Sequence, residues 1–321
     1  MSKRTLFLLL LIVSCALPVS VKAADIPQGF QIRPLIVDLN ADRGKTYTIN
    51  VNLMNVTTAD LVYKGAARDF KAHDESGTPE VLLNSNLPAS SSVAGWISIP
   101  QNIAIKSKQN KTFPVTITIP PNAEPGGHYG VLQFSGSAPE LESTGVAAEA
   151  SVGTLLFIRV NGQATESLEL RDFFTMRGQS RSSWFEYGPI TLVERINNTG
   201  NVHMRPTGEV TISNMFGKTV ATLKVNEQKN IVLPTSTRRF DQTLHKKWLF
   251  GRYTASVSLA YGTQGQVLLG TTSFWVVPYK LIVLILLVLA ALVLTIRFFI
   301  RRYNAKIIQK ALDEKAKNNR P

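Results

Sequence analysis

The chain has 321 residues, 35 Lys and Arg against 22 Asp and Glu, a formal net charge of +13 and one cysteine, Cys15. A single cysteine excludes an intramolecular disulfide framework and any multi-thiolate metal centre. The charge invites a nucleic-acid partner, but residues 24–279 carry 23 Lys and Arg against 20 Asp and Glu. The excess therefore sits at the two ends, no basic cluster with interleaved aromatics marks the middle, and nucleic acid is excluded.

Lys3 and Arg4 precede an apolar run, Leu6 to Leu17, which Pro18 ends, and a small-residue site follows at Val21-Lys22-Ala23-Ala24. This order predicts a secretory signal peptide over residues 1–23, cut between Ala23 and Ala24. Its run of about 12 residues is too short to span a bilayer. Ile12-Val13-Ser14-Cys15 also fits a loose lipoprotein pattern with Cys15 acylated, but that would leave a very short signal and a lipid redundant beside the C-terminal anchor. Cys15 reads better as a small apolar residue of the signal.

The exported body reads as strands. Tyr47, Ile49, Val51 and Leu53 alternate with Thr48, Asn50 and Asn52, and Val115, Ile117 and Ile119 with Thr116 and Thr118. Val210 and Ile212, then Val257 and Leu259, repeat the pattern. Period-two alternation puts one face on a core and one in water. Turn residues recur between the runs, which predicts antiparallel β-sandwiches. Asn161-Gly162-Gln163 is the expected joint, giving sandwiches over 24–162 and 163–277. Each has a strand ending in an Asn-rich turn (Asn55-Val56-Thr57; Asn197-Asn198-Thr199) and a later Gly-x-Tyr (Gly127-His128-Tyr129; Gly251-Arg252-Tyr253), a weak internal repeat. Gly136 to Ala150 reads as a hairpin tip or a partner-binding segment.

Leu281 to Ile296 is sixteen residues without charge, and Phe298, Phe299 and Ile300 extend it past Arg297. At about 1.5 Å per residue it crosses a hydrocarbon layer of about 30 Å, predicting a transmembrane helix over 278–300. Trp275, Tyr279 and Lys280 mark one interface and Arg297, Arg301 and Arg302 the other. The tail, 301–321, is basic and is expected in the cytoplasm, with the body outside the cell. Ile300, Tyr303, Ile307 and Leu312 predict an amphipathic helix on the inner leaflet, the other reading being a solvated tail.

No catalytic pattern appears. The four histidines, His73, His128, His203 and His245, have no ligand spacing, and no nucleophile elbow or phosphate loop occurs. Asp74-Glu75 lack the oxygen donors of a calcium loop. No cofactor, metal or enzymatic activity is expected. Pro125-Gly126-Gly127-His128-Tyr129 predicts a rigid turn whose Tyr129 packs on the core while its hydroxyl bonds backbone, as in a tyrosine corner. Trp184, Phe185 and Tyr187 follow a polar turn. They read as aromatics buried between the domains, or as a face that stacks on sugar or a partner.

The run Pro121-Asn122-Ala123-Glu124-Pro125-Gly126-Gly127-His128-Tyr129-Gly130, with Phe30-x-Ile32-x-Pro34, Asp69-Phe70 and Trp96-Ile97 before it, resembles the WxL-interacting protein family of bacterial cell-surface proteins. Leu233-Pro234-Thr235-Ser236, Phe240 and Gly251-Arg252-Tyr253 resemble its later pattern more loosely. Asn197 to His203 departs from it, as a divergent branch would. The resemblance implies a first domain that binds peptidoglycan and a second that engages partner or host proteins, with a WxL-domain protein as a candidate surface partner of the whole chain. The expectation is thus an all-β chain: two tandem Ig-like antiparallel sandwiches and one transmembrane helix. It would display binding surfaces for peptidoglycan or a surface protein; the alternative is a membrane-anchored assembly factor or chaperone acting by β-strand pairing.

Overall fold

The computed structural model describes residues 29–83, 87–137 and 150–318. The signal segment, Cys15, Ala23, Ala24 and most of the Gly136–Ala150 loop lie outside the described residues.

The first sandwich contains β1 (Phe30–Arg33), β2 (Ile36–Ala41), β3 (Thr46–Asn55), β4 (Leu61–Ala72), β5 (Pro79–Leu82), β6 (Ile97–Ser98), β7 (Asn102–Ile105), β8 (Asn110–Thr118), β9 (Gly126–Ser137) and β10 (Ala150–Val160). One sheet has the order β1-β3-β8-β6; the other runs β2-β10-β9-β4-β5, with β7 also paired to β4. The alternating residues close the core as their period requires: Val51, Leu53, Val115 and Ile117 are buried against Leu132, Phe134, Leu156 and Ile158.

The second sandwich contains β11 (Leu168–Arg177), β12 (Ser180–Arg181), β13 (Trp184–Phe185), β14 (Ile190–Asn198), β15 (Thr207–Asn214), β16 (Thr219–Val225), β17 (Thr237–Leu244), β18 (Gly251–Tyr261) and β19 (Gln266–Val276). Its sheets run β12-β11-β14-β17 and β13-β19-β18-β15-β16. The fold is therefore two tandem Ig-like β-sandwiches followed by one helix. Two strand pairs, β2 with β10 and β13 with β19, are parallel, where the sequence reading expected antiparallel pairing throughout.

The sequence repeat has a physical basis. Asn55 and Asn198 are both fully buried. Asn55 Nδ2 donates to the carbonyls of Ala59 (2.8 Å) and Ile105 (3.1 Å), and its Oδ1 accepts from Thr57 N–H at 2.9 Å. Asn198 Nδ2 donates to Val202 (2.8 Å) and Val232 (2.9 Å), and its Oδ1 accepts from Gly200 N–H at 2.9 Å. In each sandwich one buried amide makes three hydrogen bonds to backbone, two as donor and one as acceptor, and so ties its strand end to a neighbouring segment.

The tyrosine corner forms in the second sandwich. Tyr253 hydroxyl lies 3.1 Å from Phe250 N and 3.2 Å from Phe250 O. Tyr129, where the sequence predicted it, instead packs on the outer face of its sheet with Phe70 and Phe157. Its hydroxyl lies 3.5 Å from His203 Nδ1, across the domain boundary. The Gly-Gly turn lets the phenol fold back: a Cβ on Gly127 would stand 1.9 Å from the Tyr129 hydroxyl oxygen.

The helix, α1, runs without a break from Tyr279 to Asn318, 40 residues. Residues Tyr279–Ala311 are long and apolar enough to cross a membrane. The helix continues past Arg301 without a break, since no Pro or Gly interrupts the run.

Candidate functional site

Three features compete: the joint between the sandwiches, the aromatic pair at Trp184, and the outer edge of β19.

The joint is where the Pro125–Tyr129 motif lands. Gly127 N donates to Asn201 O at 2.8 Å, and Asn201 Oδ1 accepts from Thr165 N–H at 2.8 Å. Arg205 Nη2 donates to both oxygens of Asp38, at 2.7 and 3.0 Å, and Arg195 forks onto Glu75 through Nε and Nη2. Phe70, Val131 and Phe157 on the first sandwich meet Ile231 and Leu233 of the second. His203 sits among them, with Nε2 3.4 Å from Asp38. Burial first, then the Arg205 charge, push its imidazole down to about 4, so it is neutral at pH 7 and the contact is a weak hydrogen bond from the ring. His128 is buried, with ring nitrogens 3.1 Å from Ser91 O and 2.8 Å from Glu124 O, and its ring packs on Trp96. Beside these contacts lies a cleft of about 400 Å³ lined by Ile36, Phe70, Phe157, Arg205 and Arg238. Most side chains here are occupied by one another.

Trp184, Phe185 and Tyr187 do not form one surface. Phe185 is buried in the second core, Tyr187 is exposed, and Trp184 stacks on Trp275 with centroids 5.6 Å apart and planes 9° from parallel. They lie at the end of the sandwich away from the first domain, and β13 stops at Phe185, so Tyr187 does not share its face. Lys280, at the start of α1, pairs with Glu186 at 2.9 Å. Arg297, Arg301 and Arg302 are exposed on α1, with Arg302 packed 5.6 Å from the Phe298 ring centroid.

The edge of β19 is unoccupied over most of its length. β18 pairs with all eleven residues on one side, while on the other β13 pairs only with Trp275 and Val276. Trp275 N–H donates to Ser183 O at 2.7 Å, which fixes which backbone groups face outward. By strand alternation, the N–H and C=O of Val267, Leu269, Thr271 and Ser273 point to the open side. No charged residue occurs between Gln266 and Val276. Val267 is 56% and Leu269 70% exposed. Leu170 of β11 closes the sandwich beneath, filling the space over Gly270, where a Cβ would stand 2.1 Å from its methyl. At the β13 end a groove of about 450 Å³ opens between Phe174, Arg181, Trp184, Thr272 and Ser273.

Other edges carry the usual protection: Arg33 on β1, Pro79 and Glu80 on β5, Lys224 on β16, and Arg238, Arg239 and Asp241 on β17. The first sandwich has a shorter uncharged edge, Ala150 to Thr154 of β10, which β2 leaves uncovered. The edge of β19 escaped the sequence reading, although nine uncharged residues after a Gly-rich turn were its visible signal. Among the described residues, no group of three or more His, Cys, Asp or Glu is placed to hold a metal ion.

No family model and no curated protein matches the chain. Solved structures with a similar fold include the class 5 fimbriae chaperone CfaA (13% identity, 76% of this chain and 99% of that one, TM-score 0.40) and the YadV chaperone (12%, 77% and 100%, TM-score 0.37). Another is a Salmonella enterica SafA pilin in complex with the SafB chaperone (12%, 77% and 96%, TM-score 0.36). A likeness of this size carries no functional information.

Proposed function

We propose that the chain is a non-enzymatic, single-pass membrane protein that holds its two sandwiches outside the cell and captures an extended segment of a partner protein as an added strand on β19. The observation that carries this reading is the open, uncharged run Gln266–Phe274 in a protein whose other long edges are charged or covered. An added strand would find four outward-facing residues, each offering one N–H and one C=O. At about 0.5–1.5 kcal/mol net per hydrogen bond, these offset the ordering of a short extended segment. The exposed Val267 and Leu269 side chains would select an apolar residue at every second position of the partner. The basic end of α1 supports placing the sandwiches on the far side of the membrane. Peptidoglycan has weaker support, because one face of Trp184 is already taken by Trp275.

Thr271→Pro tests the reading. It removes an outward N–H and leaves the β18 ladder intact, since the inward bonds belong to the neighbouring residues. A photo-crosslinker at Leu269 of the full chain in its native membrane should capture a discrete partner, and Thr271→Pro should abolish the capture with the thermal midpoint unchanged. Equal capture from a crosslinker at Lys224, on the charged β16 edge, would refute strand addition at β19.

A further inference from the structure

We infer that the end of the second sandwich from which α1 leaves is a membrane-docking face that rests its loop tips on the anionic phosphate headgroups of the bilayer that α1 enters. The inference depends on α1 being inserted in that bilayer, and is independent of what binds β19.

The strand register brings three loops to this end. Asn214 pairs with Tyr253, Gly251 with Val276, and Ile190 with Leu244. The β15–β16 tip, the β17–β18 loop and the turn before β14 therefore emerge beside the end of β19. The helix begins at Tyr279, three residues after β19 ends. Three residues reach at most about 11 Å, so the tether alone holds this face against the start of the span.

The tips carry what an interface binds. Phe216 is 85% and Trp248 72% exposed, and Met215 and Phe250 are exposed with them. The opposite end of the sandwich is spent on the joint, where Asn201 and Arg205 bond to the first domain. Large exposed apolar side chains gathered at one end mark an interaction surface. Rings interleaved with cations at the mouth of a membrane helix are the composition of the headgroup layer.

Charge selects the occupant. The three loops and the start of β18 carry Lys218, Lys246, Lys247 and Arg252, and Lys247 Nζ stands 5.4 Å from the Trp248 ring centroid. Their one acid after the Arg177–Arg181 turn, Glu186, is paired with Lys280. The face is left with cations and no free acid, which suits lipid phosphate. A second copy of the same face would set these cations against one another.

The test uses the full chain with Cys15→Ser in vesicles of phosphatidylcholine and phosphatidylglycerol, with an environment-sensitive fluorophore on one introduced cysteine at a time. The positions are Phe216→Cys, Trp248→Cys, Gln264→Cys in the turn at the far end, and Leu289→Cys in mid-helix. Brominated lipid should quench labels at 216 and 248 several-fold more than the label at 264. Lys246→Gln with Lys247→Gln should reduce that excess at least two-fold. If the label at 289 is quenched while 216 and 248 match 264, docking is overturned and the span stands. If 289 is not quenched, the span itself fails and docking with it. If the label at 216 is protected from quenching at high protein density and becomes quenched when the protein is diluted into more of the same brominated lipid, a second copy occupies the face and the inference is overturned.

Discussion

Glu194 gives the most quantitative prediction. It lies on β14 between Leu192 and Ile196 and shares their face, so its carboxyl points into the second core. It is fully buried and neither oxygen has a hydrogen-bond partner. Burial, reinforced by the charge of Asp241, pushes the group from its ordinary 4.5 up to about 8. Between those values the unfolded chain has lost the proton and the folded chain keeps it. Stability is therefore fully present below pH 4.5 and is lost as pH rises toward 8, by about 1.4 kcal/mol per unit, or roughly 5 kcal/mol over the window. Glu194→Gln keeps the shape and removes the ionisation. Urea unfolding of the full chain in nanodiscs, followed by tryptophan fluorescence at stepped pH, reads the difference, since Trp184, Trp248 and Trp275 all belong to the second sandwich. The variant should match the parent near pH 4 and exceed it by several kcal/mol at pH 8. A difference that stays flat across that range would refute the buried, protonated carboxyl.

His203 gives the opposite slope. It faces Asp38, Arg205, Arg159 and Tyr129, and its pKa is lowered to about 4, so joint stability is present above 6.5 and falls as pH drops toward 4, by roughly 3 kcal/mol. Limited proteolysis of the linker, residues 161–167, should accelerate below pH 6.5 in the parent but not in His203→Gln. Asn55→Ala and Asn198→Ala each remove three hydrogen bonds from a buried amide to backbone, so each should cost roughly 2–4 kcal/mol by thermal unfolding. A loss under about 0.5 kcal/mol at both sites would contradict the shared role.

The alternating runs of β3, β8, β15 and β18 were legible because the period of a strand is local and its buried face follows from it. The Asn repeat was legible as a pattern but not as chemistry, because its acceptors at Ile105 and Val232 are distant in sequence. Tyr129 and Tyr253 follow the same Gly-x-Tyr, yet one turns outward to His203 and the other closes a corner on Phe250. The difference lies in the neighbouring domain, which no local rule contains. Glu194 had a signal, an acid at the core parity between Leu192 and Ile196, that the alternation argument passed over. The open edge of β19 depends on β13 stopping at Phe185, a fact of pairing and not of composition.

Amide hydrogen exchange at single-residue resolution along β19, in the full chain without partner, tests the open edge most directly. The account predicts fast exchange at Val267, Leu269, Thr271 and Ser273 and slow exchange at Leu268, Gly270, Thr272 and Phe274, with the fast set becoming slow when the crosslinked partner is bound. Uniformly slow exchange in the free chain would mean that the edge is already covered, and would contradict strand capture.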